Sequence, residues 1–281
     1  MRSALNVVRC RGMPIIKQLQ AEEVLLRHTN ESWFILNRDM NDVSVVMGFS
    51  GKASELIDLD HVRNSAAQGK NIKIIRRYTG GGTVIVDNAT IFTSFIMNAA
   101  DVPSRPYPRD IMSWSETIFK PAFEGGSVRP GAVFSLREND YVIDNLKIGG
   151  NAQSIVKDRW VHHTSFLWNY TAENMQFLLM PKKRPDYRGD RSHTKFLDKI
   201  CNHMKSPTDM EDRILAQLQL AFDVNEVSSE ALEIKLNQIA RSSTFLKQPD
   251  VRTRIEDINT LNEISYQQAP TTPFLSFGTS A

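Results

Sequence analysis

Two arginines run into three consecutive glycines in Arg76-Arg77-Tyr78-Thr79-Gly80-Gly81-Gly82-Thr83-Val84-Ile85-Val86-Asp87, with a β-type run on each side. Upstream, Ile72, Ile74 and Arg76 alternate with Lys73, Ile75 and Arg77, the period-two pattern of a strand. Downstream, Thr83 to Val86 is rich in β-branched residues and reads as the returning strand of a hairpin, with Thr79 to Gly82 as the connection. A mere turn needs only one or two residues with positive φ. Three glycines leave a stretch of backbone without Cβ atoms, and a ligand can lie directly on its N–H groups. Anionic oxygens suit such a nest, and Arg76 and Arg77 add positive charge at its mouth. The competing reading is a glycine-rich hairpin with surface arginines, so the rest of the chain has to decide.

A second stretch, Asn139 to Gln153, reads Asn-Asp-Tyr-Val-Ile-Asp-Asn-Leu-Lys-Ile-Gly-Gly-Asn-Ala-Gln. Asp144-Asn145 is a tight turn between two short strands. Leu146 and Ile148 point to one face and leave Lys147 alone on the other, and Gly149-Gly150 again bares backbone. A lysine so placed meets a ligand anion, or it is a solvated lysine guarding a strand edge. A third stretch, Trp160 to Trp168, is a further strand. Its adjacent His162 and His163 face opposite ways and cannot chelate one metal together. No acidic or cysteine partner sits at ligand spacing either, so no metal site is expected, and one of the two histidines is expected to brace a neighbouring loop.

Around these stretches the chain reads as one domain without repeats or linkers. Leu5 to Val8 is a first strand, and a helix follows from about Ile15 with Ile16, Leu19 and Leu26 on its inner face. Glu23 falls on that apolar stripe and Glu22 beside it. A carboxylate there is costly unless paired: either an arginine or backbone donors of the glycine loop hold Glu23, or the stripe frays there and Glu23 is solvated. Trp33 to Asn37, Val43 to Phe49 and Thr90 to Met97 read as strands, and Asp58 to Ala67 as a helix. Gly48 to Lys52 lacks the Gly-x-x-x-x-Gly-Lys-Ser/Thr pattern of a phosphate-binding P-loop. After prolines 103, 106 and 108 comes a helix with Ile111, Trp114, Ile118 and Ala122 on one face. Glu173 to Met180 reads as a helix, and the basic run Lys182 to His193 as a solvated loop or a cover over an anionic ligand. Thr208 with Glu211 suggests a capping box opening a helix, and Glu230 to about Leu246 a last helix. From about Asn262 the Ser/Thr/Pro/Gln-rich chain is expected to be disordered.

A formal charge of +2 and the absence of basic runs interleaved with aromatics argue against nucleic acid. Two cysteines, Cys10 and Cys201, make neither a metal cluster nor a disulfide framework, which favours a reducing compartment. No apolar run approaches the roughly 20 residues that cross a bilayer. The first 21 residues hold Arg2, Arg9, Arg11 and Lys17 and no acid, weakly like a mitochondrial presequence, although cleavage there would remove part of the fold. Mitochondrial and cytoplasmic locations both stay open.

The three stretches together resemble the lipoate–protein ligase A group of the biotin/lipoate ligase superfamily, and most closely its eukaryotic, plant-like branch. Arg76 to Val84 is similar to the family's Arg-Arg-x-Ser/Thr-Gly-Gly-Gly-x-Val block. Asn139-Asp140 followed by Lys147-Ile148-Gly149-Gly150-Asn151-Ala152 is similar to its Asn-Asp and Lys-Ile-Ser/Gly-Gly-x-Ala blocks, and Lys157-Asp158-Arg159 with His162-His163-Thr164 to its Lys-Asp-Arg and His-His-Gly-Thr strand. Order and spacing agree from about Leu19 to about His193.

The resemblance implies an α/β (α+β) fold like that of class II synthetases, a mixed and largely antiparallel sheet packed with helices, over residues 1–261. It implies ATP, Mg2+ and lipoate as reactants, lipoyl-AMP as intermediate, and a lysine of a lipoyl domain as acceptor. That domain belongs to an E2 subunit of the 2-oxoacid dehydrogenases or is the glycine-cleavage H protein. Lys147 is the implied catalytic residue. Arg76, Arg77, Gly80, Gly81, Gly82, Asp140, Gly150, Asn151 and Ala152 are the implied acyl-adenylate contacts, with Arg77 the arginine that faces the ligand.

Three features depart from the pattern. Val86-Asp87-Asn88-Ala89-Thr90 stands where the bacterial ligases have His-Asp-x-Gly-Asn, and His-His-Thr-Ser stands for His-His-Gly-Thr. A C-terminal accessory domain, tied to adenylation in the family, is not evident. A transferase that takes its acyl group from lipoyl-AMP, supplied by a separate activating partner, or from acyl carrier protein is therefore the second reading. Cys10 and Cys201 lie outside the three blocks, which disfavours a cysteine-nucleophile transferase. Biotin ligase is disfavoured because its Gly-Arg-Gly-Arg signature is missing. A non-catalytic module that binds lipoylated proteins is the third reading.

Overall fold

The computed structural model describes residues 2–181, 184–241, 251–258 and 261. The chain opens with strand β1 (Ala4–Arg11), helix α1 (Ile15–His28), and strands β2 (Trp33–Arg38) and β3 (Val43–Met47). Helices α2 (Ala53–Leu56) and α3 (Leu59–Ala67) lead to β4 (Ile72–Arg76), β5 (Val84–Val86) and β6 (Thr90–Asn98). Helix α4 (Pro108–Gly126) precedes the meander β7 (Phe134–Arg137), β8 (Asp140–Ile143), β9 (Leu146–Val156) and β10 (Arg159–Leu167). The remainder holds α5 (His193–Phe196), α6 (Pro207–Ala221), β11 (Asp223–Val227), α7 (Ser229–Arg241) and β12 (Arg254–Glu256).

The described strands form a sheet of eight, in the order β11-β1-β2-β6-β10-β9-β8-β7, and a sheet of four, in the order β12-β4-β3-β5. Most pairings are antiparallel; β1 runs parallel to both β2 and β11, and β3 parallel to β4. This is the mixed, largely antiparallel architecture that the sequence implied. The expected glycine hairpin is corrected, because β4 and β5 do not pair with each other. The strand β3 lies between them, parallel to β4 and antiparallel to β5. The glycine run therefore arches over the end of β3, which a two-residue turn could not span.

One face of the large sheet packs on α4 and α6 through Phe34, Phe95, Trp114, Phe119, Tyr141 and Phe166. Each such ring contributes about 1.5–3 kcal/mol by leaving water. The other face packs on α1 and α7 through Val24, Leu25, Ile35, Val161, Leu232 and Leu236. Helix α1 also reaches the small sheet, where Ile16 and Leu19 meet Val46, Ile75 and Val86. Wedged between two sheets and α7, every α1 residue from Ile15 to Leu26 except Lys17 is buried. The single stripe read from the sequence is too narrow for that position.

Two helix boundaries differ from expectation. Ser206, not Thr208, caps α6, accepting from the Asp209 N–H at 3.1 Å, because Pro207 occupies the first helical position with its φ preset. Thr208 and Glu211 both serve Arg38 instead. The expected helix over Glu173–Met180 shrinks to one 3-10 turn, Asn174–Phe177, as Leu178 pairs back onto Ile57. The stretch after Arg241 expected to continue the last helix, and the expected disordered tail from Asn262, lie outside the described residues. Among the described residues no helix is long and apolar enough to cross a membrane.

Candidate active site

The glycine loop begins where parallel β3 and β4 end together. The Arg77 N–H donates to the Met47 carbonyl at 3.0 Å and the Phe49 N–H to the Thr79 carbonyl at 2.9 Å, so the departing chains stay linked. The run then passes so close over Gly48 that a Cβ there would lie 2.4 Å from the Gly81 carbonyl oxygen. Gly81 itself has φ 94°, and a Cβ on it would sit 2.8 Å from Arg77 Nη2 and 3.3 Å from Ala152 Cβ. Glycine is required at both positions. Gly80 and Gly82 are different: neither has a positive φ, and nothing stands within 4 Å of where their Cβ atoms would be. The fold itself does not demand glycine there, which leaves exposed backbone for a ligand to approach.

The expectation that both guanidinium groups stand at the mouth of the loop, with Arg77 facing the ligand, is corrected. Arg77 is buried beneath the loop. Its Nη2 donates to the carbonyls of Gly80 (2.7 Å) and Gly82 (2.8 Å), its Nη1 to Val46 (3.2 Å), and its Nε to Thr79 Oγ1 (2.8 Å). A tight glycine arch turns carbonyl oxygens inward, and unpaired buried carbonyls are costly; Arg77 supplies the donors. Burial lowers its pKa to about 10. Arg76 binds the carbonyls of Phe49 (3.0 Å) and Gly51 (2.6 Å) and pairs with Glu256 of β12.

A buried polar chain supports the loop from below. Ser94, His163 and Ala152 lie side by side on β6, β10 and β9, all on the α1 face of the sheet. Glu22 of α1 accepts from His163 Nδ1 at 2.8 Å, from Ser94 Oγ at 2.5 Å and from the Tyr78 hydroxyl at 3.3 Å. His163 Nε2 faces Thr79 Oγ1 at 3.4 Å, so this histidine braces the glycine loop. The neighbouring His162 points to the α4 face, where Gln153 Nε2 donates to its Nδ1 at 3.0 Å. Burial, and secondarily His163, pull its pKa down to about 3.

Glu23 is also fully buried, but its partners are not in the glycine loop. It pairs with Arg27 at 3.0 Å and accepts from the N–H groups of Arg252 (2.9 Å) and Thr253 (3.2 Å). Its pKa is raised above the ordinary value, with burial the largest cause. Glu22 is the carboxylate that serves the loop. Sequence reading missed it because the helix is buried on more sides than one stripe describes.

Lys147 owes its position to an irregularity between β8 and β9. Tyr141 pairs with Gly149 and Val142 with Lys147, which leaves Ile148 as an extra residue in β9. The bulge turns both Ile148 and Gly149 toward the α4 core, where a Cβ on Gly149 would press within 3.0 Å of Phe166. Lys147, Gly150 and Ala152 fall on the opposite face, that of His163. Lys147 Nζ pairs with Asp140 Oδ1 at 2.8 Å and lies 3.1 Å from where a Cβ on Gly150 would stand. The Tyr187 hydroxyl donates to Asp140 Oδ2 at 2.9 Å. The Asp198 N–H donates to the Lys147 carbonyl at 2.9 Å, so the 184–198 segment lies against this corner.

Gly80–Gly82, Ala152, Gly150, Lys147 and Asp140 thus come together. Ala152 and Gly150 are two residues apart on one strand, a separation of about 7 Å; the glycine loop rests by the first and the ammonium by the second. Asn151 departs from expectation: its pairing with Thr164 places its side chain on the other face, where it accepts from Thr164 Oγ1 at 2.7 Å and donates to the Asn139 carbonyl at 3.1 Å. An open groove of about 710 Å³ lies elsewhere, beside Asp101, Arg105, Trp114 and Phe222, and contains none of these residues. The glycine loop, by Ala152, and the 184–198 segment, by Lys147, converge instead on β9.

The pattern of the lipoyl protein ligase A/B catalytic domain matches residues 14–220, which hold all three blocks. The chain belongs to that family. It is 26% identical over 271 residues to the inactive lipoate–protein ligase 2 of Plasmodium falciparum, covering 77% of this chain and 69% of the relative. Of curated relatives in yeast and Staphylococcus aureus it spans 31% and 62% of the length. Its fold is similar to that of a bipartite lipoate protein ligase from Thermoplasma acidophilum, described with its E2 lipoyl domain. The TM-score is 0.64 at 18% identity, covering 88% of this chain and 95% of that one. It is similar as well to a lipoate-protein ligase A bound with ATP, with a TM-score of 0.59 at 17% identity, covering 87% and 96%.

Proposed function

We propose that the chain is an ATP-dependent lipoate–protein ligase. In the first step the lipoate carboxylate attacks the α-phosphate of ATP, forming lipoyl-AMP and releasing pyrophosphate. In the second, a lysine amine of a lipoyl domain attacks the acyl carbon, the amide forms and AMP leaves. The observation that carries this reading is the meeting of ligand-accessible glycine backbone with one lysine cation on the same sheet face. Both steps develop or move negative charge on oxygen, and preorganised donors stabilise it. The N–H groups of the glycine loop would meet the acyl-adenylate, and Lys147 would exchange Asp140 for the acyl oxygen and α-phosphate. No nucleophile is needed from the enzyme, since the acceptor supplies its own.

Among the described residues no group of three or more His, Cys, Asp or Glu side chains converges to hold a metal ion. Mg2+ fits this site as the escort of the ATP phosphates, which it joins with few protein ligands. The E2 lipoyl domain described with the Thermoplasma protein supports a lipoyl domain as acceptor. Residues 1–261 act as one unit in this reading, because the 251–256 segment is tied to Glu23 and Arg76.

The variant Lys147→Ala tests it. Transfer of lipoate to an apo lipoyl domain should fall by about 100-fold or more, the scale of losing a main charge-stabilising group, while the circular dichroism of the folded protein at the assay temperature and acceptor binding hold. Unchanged transfer would remove Lys147 from the chemistry. A transferase that begins from lipoyl-AMP uses the same residues and differs only in the first step, and octanoate is an alternative acyl group. Synthetic lipoyl-AMP supplied in place of lipoate and ATP separates the two reactions.

A further inference from the structure

Arg188 is a buried cation whose charge is not neutralised by an ion pair among the described residues. It lies in the basic stretch that covers the Lys147 corner and is only 5% exposed. Its Nε donates to the Arg191 carbonyl at 3.2 Å, and its guanidinium stacks on the Phe196 ring at 4.9 Å. Its Nη2 is buried and has no hydrogen-bond partner among the described residues. Among the described residues the carboxylate acting on it is Asp140, and both of its oxygens are engaged, Oδ1 by Lys147 and Oδ2 by the Tyr187 hydroxyl. Buried charges are normally paired, and a buried donor without an acceptor is costly.

Arg188 and Lys147 meet one short stretch: the Arg188 guanidinium stacks on Phe196, and the next residue, Leu197, bridges to Lys147. Burial first, and then the charges of Arg188 and Lys147, pull the His193 pKa down to about 4. A proton on His193 is thereby disfavoured, and the positive charge of this corner stays with the lysine and the arginine. Stacking on Phe196 holds the guanidinium plane, and a planar fork of N–H donors matches two oxygens of one phosphate better than a point charge does.

We propose that Arg188 is the second cation of a phosphate subsite whose first cation is Lys147, and that its free Nη2 takes a phosphate oxygen of the adenylate. The assignment rests on the adenylate chemistry proposed above. It gives the cover segment a direct part in binding: the 184–198 stretch brings a charge to the ligand as well as closing over it.

The test compares AMP with adenosine by calorimetry, for the full chain and for Arg188→Gln, with melting curves beside them. The wild-type protein should bind AMP more tightly than adenosine. Arg188→Gln should lose about tenfold or more of that preference, the scale of one charge-assisted hydrogen bond, with adenosine affinity unchanged. A loss of structure would weaken both ligands alike. Arg188→Lys keeps the charge and an apolar stem over Phe196, and should retain part of the preference if Arg188→Gln does not fold. An AMP preference that survives in both variants overturns the assignment and leaves the ligase reading standing. A wild-type protein with no AMP preference overturns the adenylate reading and this subsite together.

Discussion

The Glu22 carboxylate meets His163 Nδ1 at 2.8 Å in the interior, with side-chain exposures of 0% and 4%. This contact joins helix α1 to the central strand β10 directly beneath the glycine loop. Thr79 and Tyr78 of the loop join the same cluster. Removing one partner of a buried pair leaves the other without compensation, at a cost of about 3–5 kcal/mol. Glu22→Ala should therefore lower the urea midpoint by a corresponding amount. Tyr78→Phe deletes only one hydroxyl bond to that carboxylate and should cost about 1–3 kcal/mol. Equal stability of Glu22→Ala and the parent would contradict the cluster.

The glycines divide into two kinds, and alanine should tell them apart. Gly82→Ala meets open space at an ordinary φ, so its melting temperature should hold or rise, since alanine restricts the unfolded chain by about 0.4–1 kcal/mol. Its added methyl projects where a ligand would lie, so KM for ATP should increase. Gly48→Ala collides with backbone at the Gly81 carbonyl and should be destabilised by about 1–3 kcal/mol. Melting curves and initial rates on the two variants give the comparison, and loss of stability at Gly82 would refute the distinction.

Thr253 connects the late 251–256 segment to the loop. Its Oγ1 donates to Glu23 Oε2 at 3.3 Å and accepts from the Tyr78 N–H at 3.2 Å. Thr253→Val keeps the shape and removes both bonds, leaving a buried N–H unpaired at a cost of about 1–3 kcal/mol. Hydrogen exchange at the Tyr78 amide should accelerate in the variant. An unchanged exchange rate would show that the segment does not hold the loop.

His162 has an acid-side consequence. Its folded-state pKa is pushed down to about 3 from the ordinary 6.5, with burial the largest cause. The unfolded chain therefore takes up a proton that the folded chain refuses. Stability from this residue is complete above pH 6.5 and falls as pH drops from 6.5 towards 3, by up to about 1.4 kcal/mol per pH unit. Proton NMR should find the His162 ring signal unmoved between pH 8 and 5. A midpoint near 6.5 would contradict its burial as a neutral ring.

Most strands were legible because their β-branched runs are long and their turns carry glycine or Asp-Asn. The isolation of Lys147 among apolar neighbours marked it as a ligand contact or a solvated edge lysine, and the bulge at Ile148 that sets its face left no signature in residue type. The pairing of β4 with β3 instead of β5 was not legible, since alternation marks a strand without naming its partner. For the same reason Arg76 and Arg77 read as ligand contacts. Only the arch over β3 turns carbonyls inward and gives those guanidinium groups a structural task. Glu22 stayed hidden because it draws its meaning from His163, distant in sequence; the basic run that holds Arg188 read as a solvated loop or a cover, and only burial against Phe196 singles out that arginine.

The most direct measurement weighs an apo lipoyl domain by mass spectrometry after incubation with the full chain, lipoate and Mg-ATP. The ligase account predicts a gain of one lipoyl group on the acceptor lysine, lost when Lys147 is replaced by alanine. Gain from synthetic lipoyl-AMP but not from lipoate and ATP would contradict adenylation by this chain and leave acyl transfer. No gain from either donor, with the protein folded, would contradict the account at its centre.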